Sequence, residues 1–141
     1  MSHAAFAAAG TPAPLTSTEY QPGVCNIGPA EIARRRRAGH VGLIATVVLL
    51  AVLVLVDAPP LARLILIVPA AVSASGYLQA YLKFCAGFGS RGILNFGEVG
   101  TTQQVADAAS RALDRAKANR IMLASFAIGI AVAVVAVLLP V

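Results

Sequence analysis

Two cysteines and one histidine are the residues in this sequence that could do thiol chemistry or bind a metal. Cys25 lies just before a predicted helix, Cys85 lies just after a second one, and His40 lies within the first. Helix starts and nearby arginines lower the pKa of a thiol, so the two cysteines would suit redox or sulfur chemistry. With His40 at a similar depth the three could also hold a metal, although a fourth ligand and dense ligand spacing are lacking. The ordinary alternative is a pair of small, free thiols.

A glycine-rich segment, Gly87-Phe88-Gly89-Ser90-Arg91-Gly92, matches the letters of the dinucleotide-binding fingerprint. That fingerprint works between a buried strand and a helix, and here it follows a predicted membrane span. The sequence also shows no Ser-His-Asp set and no facing carboxylates within its apolar segments. We therefore predict a protein that is not an enzyme, with no catalytic residues, no cofactor and no metal.

The composition predicts a membrane protein. Of 141 residues, 58% are hydrophobic and only 12% are charged, which is far from the balance of soluble proteins. The net charge is +5, but the lysines and arginines flank apolar segments and do not form a separate basic domain. We therefore expect a lipid bilayer as partner and no nucleic acid.

Three apolar segments predict an all-α membrane protein with three transmembrane helices. Residues 1–22, rich in Ala, Pro, Thr and Ser, should be a disordered tail, and residues 23–141 a single helical domain. The expected spans are residues 39–56, 61–84 and 121–139, with a connector at 85–120.

The turns and helix starts give these spans their order. Pro29 after Gly28 suits a helix start, and Asp57-Ala58-Pro59-Pro60 should turn the chain back, so that the first two spans form a hairpin. Thr101 and Gln104 have capping-box spacing, which predicts that the last helix opens there and has an amphipathic, cytoplasmic first half.

Small residues spaced by about one turn mark the faces where these helices should pack. Such residues allow helix backbones to approach closely in lipid. The second span carries Ala70, Ala74 and Gly76, and the third carries Ser125, Gly129 and Ala133. We expect these faces to dock on each other or to support self-association.

The basic residues predict the orientation. Arg34, Arg35, Arg36 and Arg37 precede the first span and Arg120 precedes the third, whereas Arg63 alone lies on the other side. By the positive-inside rule the amino terminus is cytoplasmic and the carboxyl terminus outside, in a bacterial inner membrane. The arginine-rich flanks should contact anionic headgroups. Arg63 should snorkel outward, towards Asp57.

The start of the first helix resembles a known family. Asn26-Ile27-Gly28, then Glu31, Arg35 and Gly39 before an apolar run, is similar to the start of the small bacterial transmembrane-hairpin family, which includes the membrane portion of YgaP-type rhodanese proteins. That family commonly has a cysteine near the cytoplasmic end of its second helix, where Cys85 stands. The resemblance covers residues 25–89 and implies a membrane hairpin that self-associates or accompanies another protein. Ile32 and the third span depart from the family pattern, and these 141 residues include no sulfurtransferase domain.

Three functions are consistent with these features. The first is a non-enzymatic small integral membrane protein that is an accessory or self-associating helical subunit, alone or in a larger complex. The alternative is a thiol-dependent redox or sulfur-handling module that uses Cys25 and Cys85. A channel or transporter subunit would require oligomerisation, because the spans carry hardly any polar groups.

Overall fold

The computed structural model describes residues 20–141, which form three long helices and a small cap at one end. The cap consists of residues 20–28 and 83–107. The tail prediction for residues 1–19 lies outside the described residues. Tyr20 and Gln21, which the prediction assigned to the tail, belong to the folded unit: the Tyr20 hydroxyl donates to Asp114, and Gln21 pairs with Cys25.

The helices and strands follow one another as α1 (Pro29–Leu55), a 3-10 helix (Pro60–Leu66), α2 (Ile67–Leu82), α3 (Ala86–Arg91), β1 (Ile93–Leu94), β2 (Gln103–Gln104) and α4 (Ala108–Leu138). Within residues 20–141, three helical segments are long and apolar enough to cross a membrane: α1, the continuous segment Pro60–Leu82, and α4. This confirms the predicted all-α membrane class with three spans. The two short strands pair antiparallel within the cap, where the sequence predicted only a connector.

The prolines set the ends of the first two spans. Pro29 opens α1, where its missing N–H breaks no helical hydrogen bond. The chain leaves α1 through Asp57, whose φ of 53° is left-handed, and Pro59 and Pro60 then prevent the helix from continuing. Pro69 lies in the first turn of α2, which is again a position that needs no N–H donor.

The predicted start of the last helix at Thr101 is wrong. Asp107 is the N-cap residue, and its carboxylate accepts the Ser110 N–H at 2.9 Å, so α4 begins at Ala108. The Thr101 hydroxyl instead lies 3.1 Å from the Asn95 side chain and donates to the Glu98 carbonyl at 2.6 Å. The residues before Asp107 are therefore held by the cap.

The second span lies between the other two because glycines allow close approach on both of its sides. A Cβ at Gly42 of α1 would come within 2.6 Å of the Ser73 backbone nitrogen in α2. A Cβ at Gly129 of α4 would come within 2.7 Å of the Ile67 carbonyl oxygen. Both seams therefore pack backbone against backbone, as small residues permit in lipid.

Arg63 does not snorkel towards Asp57, so that expectation is wrong. Its side chain is only 2% exposed, and Nη1 donates to the Ala136 carbonyl at 2.8 Å and the Leu139 carbonyl at 3.2 Å. Nη2 donates to the Val141 carbonyl. The last carbonyls of a helix have no intrahelical donor and carry partial negative charge, which attracts the guanidinium. Arg63 thereby fastens the 3-10 helix to the end of α4.

Candidate functional site

The amide of Asn26 joins the start of α1 to the end of α2. Its Nδ2 donates to the Cys85 carbonyl at 3.2 Å, and its Oδ1 accepts the Cys85 N–H at 2.7 Å. Its own N–H donates to the Lys83 carbonyl at 3.2 Å. Asn26 is fully buried, so these bonds replace all contact with water. The arrangement fixes the position of Cys85 relative to α1.

Gly28 and the Asn26 carbonyl hold Asn95, the residue after β1, at the same place. The Gly28 N–H donates to the Asn95 carbonyl at 2.8 Å, and the Asn95 N–H donates to the Asn26 carbonyl at 3.0 Å. A Cβ at Gly28 would lie 2.8 Å from the Phe96 carbonyl oxygen, so only glycine fits without movement. Ile27 packs with Cys85 and Phe88 in a buried apolar cluster. The Asn26-Ile27-Gly28 segment is thus the core of the cap.

Arg35 connects the cap to a buried carboxylate. Its Nη2 lies 3.1 Å from Glu31 Oε2 and donates to the Cys85 sulfur at 2.8 Å. Its guanidinium lies 5.5 Å from the centre of the Phe88 ring, a cation–π contact. The Glu31 side chain has no exposed surface. Its charge is balanced by Arg35 and, at 3.7 Å, by Arg34.

A groove of about 440 Å³ opens beside this cluster, between α1, α2 and α4. Arg35, Cys85, Gly87 and Arg91 line its mouth at the capped end. Deeper between the helices the lining is mainly apolar, with the polar exceptions Ser75, Gln79 and Ser125. Those three side chains already have partners: Gln79 bonds to Ser75 and to the Ala86 N–H, and Ser125 bonds to the Ile121 carbonyl. The groove therefore offers positive charge at its mouth and an apolar interior.

The two cysteines have different surroundings, and both are free thiols. Cys25 is half-buried, and its backbone closes a turn with Gln21 through two hydrogen bonds of 3.0 Å. Burial raises the pKa of the Cys25 thiol, which is opposite to the lowered pKa that a reactive thiol requires. Cys85 is 3% exposed and contacts Arg35, so Cys85 is the cysteine that lines the groove.

His40 does not join the two cysteines in a site. Its Nδ1 lies 2.6 Å from the Tyr77 hydroxyl, and the two rings meet edge to face at 5.3 Å between centroids. Across residues 20–141, no three His, Cys, Asp or Glu side chains are placed to hold a metal ion. The candidate residues are therefore separated. Cys25 and Cys85 lie in the cap, whereas His40 contacts Tyr77 between α1 and α2.

The predicted interfacial arginines divide into two kinds. Arg34, Arg36, Arg37 and Arg120 are exposed, whereas Arg35 is turned into the cap and groove. With other exposed cations at the same end they form what we call the basic collar: Arg34, Arg36, Arg37, Lys83, Arg91, Arg115 and Arg120.

The predicted small-residue faces lie between the three spans of one chain. Gly76 meets the Gly39 backbone of α1, and Gly129 meets Ala71 and Ile67 of α2. Ala133 packs with Leu66 and Ala136 in a buried cluster. The other predicted packing residues, Ala70, Ala74 and Ser125, are also buried. Within one chain, then, these residues join the three spans to one another.

Sequence reasoning missed four residues that build this end of the molecule: Asn26, Asn95, Arg91 and Asp114. Asp114 is buried and accepts the Tyr20 hydroxyl and the Gly23 N–H, each at 2.7 Å. Only Asn26 carried a signal, because it belongs to the motif quoted for the family resemblance. The partners of the other three lie 2 to 94 residues away in sequence, so no single periodicity reveals them.

Comparison with known proteins gives no relative: no family model, no curated protein and no solved structure matches the chain.

Proposed function

We propose that this chain is a non-catalytic integral protein of the bacterial inner membrane that serves as an accessory or self-associating subunit and holds anionic lipid at its cytoplasmic face. The observation that carries the proposal is the basic collar. Its seven cations are exposed, whereas two of the chain's acidic side chains, Glu31 and Asp114, are buried at the same end. Exposed cations therefore outnumber the exposed carboxylates of this end, Glu98 and Asp107, as suits a leaflet of anionic headgroups.

The proposed orientation follows from the same surface. The collar would face the cytoplasm, which places the amino terminus inside and the carboxyl terminus outside. Association would use the outward apolar faces of α1 and α4, because the small-residue faces are used within the chain. The resemblance to the transmembrane-hairpin family supports a membrane hairpin that self-associates or accompanies another protein.

The lipid part of the proposal is tested by replacing collar arginines. We expect R34Q/R36Q/R37Q to lose most of the added thermal stability that the wild type gains when phosphatidylcholine nanodiscs are doped with phosphatidylglycerol. Salt should reduce the gain of the wild type, because exposed charges are screened.

A matched control is T102A/Q104A/N119A, which changes three exposed, uncharged residues at the capped end. It should retain the full gain from phosphatidylglycerol. Equal gains for the arginine variant and the wild type would refute the lipid role. Light scattering in mild detergent tests the subunit role, and a monomer that retains no partner protein would refute it.

One observation favours the thiol-dependent alternative. The Cys85 sulfur accepts a hydrogen bond from Arg35 Nη2 at 2.8 Å, and contact with a guanidinium is one environment in which cysteine sulfur is nucleophilic. The alternative therefore rests on Cys85 alone, because burial raises the pKa of Cys25.

Alkylation kinetics in native membranes decide between the two functions. Under the leading proposal, a lipid-permeant maleimide labels Cys85 in C25S more slowly than it labels a model thiol, since Cys85 is almost fully buried. The thiol module requires faster labelling of Cys85, and slower labelling after R35Q.

A further inference from the structure

The groove between α1, α2 and α4 changes in chemistry along its length. Its mouth at the capped end contains two arginines, Arg35 and Arg91, and its deeper wall contains Val72, Met122 and Phe126. Its volume of about 440 Å³ lies within the range of about 300–1,000 Å³ that is usual for ligand sites. An occupant that matches both ends must be anionic at one end and apolar at the other.

The positive charge at the mouth is not cancelled by the protein. Arg35 is paired with Glu31 at 3.1 Å, which leaves Arg91 as the uncompensated cation. Arg91 lies 5.8 Å from the Phe88 ring centre, and its Nε donates to the Gly87 carbonyl at 3.1 Å. Within residues 20–141 its two terminal nitrogens meet no acidic partner. They can therefore donate to two oxygens of one phosphate group.

The apolar wall is part of the membrane-spanning surface. Val72, Met122 and Phe126 belong to α2 and α4, and all three are exposed on helices apolar enough to cross a bilayer. In a membrane this wall faces hydrocarbon, so a lipid can enter the groove from the side without exposing its chain to water. A small soluble anion would contact Arg91 but not the wall, whereas one lipid molecule contacts both.

We infer that the groove binds one lipid with an anionic phosphate headgroup, its phosphate on Arg91 and an acyl chain along Val72, Met122 and Phe126. This inference rests on the proposed anionic-lipid role and adds a defined site with a stoichiometry of one. The basic collar attracts the headgroups of the leaflet in general, whereas the groove selects a single molecule.

Native mass spectrometry of the full chain in neutral detergent tests the site. The probes are phosphatidylglycerol, phosphatidylcholine with the same acyl chains, and inorganic phosphate. We expect one phosphatidylglycerol per chain, bound at least about tenfold more tightly than phosphatidylcholine. Both lipids offer a phosphate to Arg91, but the choline cation of phosphatidylcholine is repelled by the positively charged mouth. Inorganic phosphate should not displace it, because phosphate lacks the acyl chain.

Two variants address the mouth of the groove. R91Q should weaken phosphatidylglycerol binding by about tenfold, whereas R36Q, which removes an exposed arginine outside the groove, should change it by less than about twofold. A Cβ at Gly87 would lie 3.8 Å from Arg91 Nη2 and from the Cys85 sulfur, so G87L fills the mouth without a clash at its Cβ. S90L is its control, an exposed position on the same short helix.

The outcomes separate this inference from the proposed function. Any of three results would overturn the groove site. They are equal binding of the two phospholipids, displacement of phosphatidylglycerol by inorganic phosphate alone, and phosphatidylglycerol binding by R91Q and G87L that matches that of R36Q and S90L. Thermal unfolding of each variant excludes loss of fold, and R91Q, at an exposed position, keeps the test decisive if G87L unfolds. If the triple collar variant loses its phosphatidylglycerol effect while the groove variants do not, the site fails and the proposed function stands.

Discussion

Asn26 shows how one side chain can replace a strand pairing. Its amide donates to and accepts from the backbone of Cys85, 59 residues later, as two paired strand residues would. Asn95 plays a related part just after β1, where its Oδ1 accepts the Gly97 N–H at 2.9 Å and its Nδ2 donates to the Glu98 carbonyl at 2.7 Å. A cap without extended sheets is therefore held by two buried amides.

Removing the Asn26 amide should be costly. We expect N26A to lower the free energy of unfolding by about 2–3 kcal/mol, because a buried carbonyl and a buried N–H of Cys85 lose their partners. Titration with SDS in mixed micelles measures the change. N119A is the matched control, since Asn119 is exposed on α4 and should be almost neutral. Equal effects of the two substitutions would show that the cap does not depend on this amide.

The contact between Tyr20 and Asp114 predicts a dependence on alkaline pH. Burial and the Asp114 carboxylate raise the pKa of Tyr20 above its ordinary value of 10.0. The folded state therefore keeps the phenol proton more firmly than the unfolded state does. The resulting stabilisation is complete below about pH 10 and is lost as the pH rises through the folded-state pKa.

Comparison of Y20F with the wild type isolates this contribution. At about pH 8 we expect Y20F to be less stable by about 1 kcal/mol, since one hydrogen bond to a buried carboxylate is lost. Between about pH 9 and pH 11 the wild type should lose more stability than Y20F, so the gap in unfolding temperature narrows. Both proteins contain Cys25, whose raised pKa therefore cancels in the comparison. A gap that stays constant with pH would contradict the assignment.

At the scale of elements, the three spans are joined by glycine seams and by one arginine. Gly42 and Gly76 bring α1 against α2, and Gly129 brings α4 against the other side of α2. At the end away from the cap, Arg63 binds the final carbonyls of α4. The helices are thus fixed along their length by shape and at both ends by hydrogen bonds.

The α2–α4 seam predicts a selective effect of bulk. We expect G129V to lower the free energy of unfolding by about 1–3 kcal/mol, because its side chain must push against the Ile67 carbonyl and Ala71. A127V adds similar bulk at an exposed position of the same helix and should be nearly neutral. The SDS titration used for N26A applies here as well. Equal free energies of unfolding for G129V and A127V would mean that the α2–α4 seam tolerates added bulk, which would contradict the prediction.

At the scale of the whole molecule, charge is distributed unevenly between the two ends. The capped end carries the basic collar, whereas at the other end the cation Arg63 is buried against carbonyls and Asp57 is exposed. We expect such a charge distribution to give the molecule one preferred orientation in a membrane whose inner surface is negative.

Reporter fusions test that direction. We expect alkaline phosphatase fused at the carboxyl terminus to be active and a fluorescent protein fused there to be dark, because the third span should carry the terminus outside. A fusion within the cap, after Gly100, should show the opposite pattern. Fluorescence at the carboxyl terminus would overturn the orientation.

The sequence alone determined the class of the protein and the presence of three apolar helices long enough to span a membrane. These properties depend on local features: uninterrupted apolar length, proline positions and the start of α1 after Gly28. The small residues at 70–76 and 125–133 lie at the seams between the spans, where close approach of helices in lipid requires small side chains.

Only the tertiary structure decided which side chains meet at the ends of the helices. It separated His40 from the two cysteines, turned Arg35 towards Cys85 and Arg63 towards the end of α4, and moved the start of α4 to Ala108. It also placed Arg91 at the mouth of a groove whose wall comes from other helices. Such contacts join residues far apart in sequence, and their geometry depends on how whole helices pack, which no local pattern encodes.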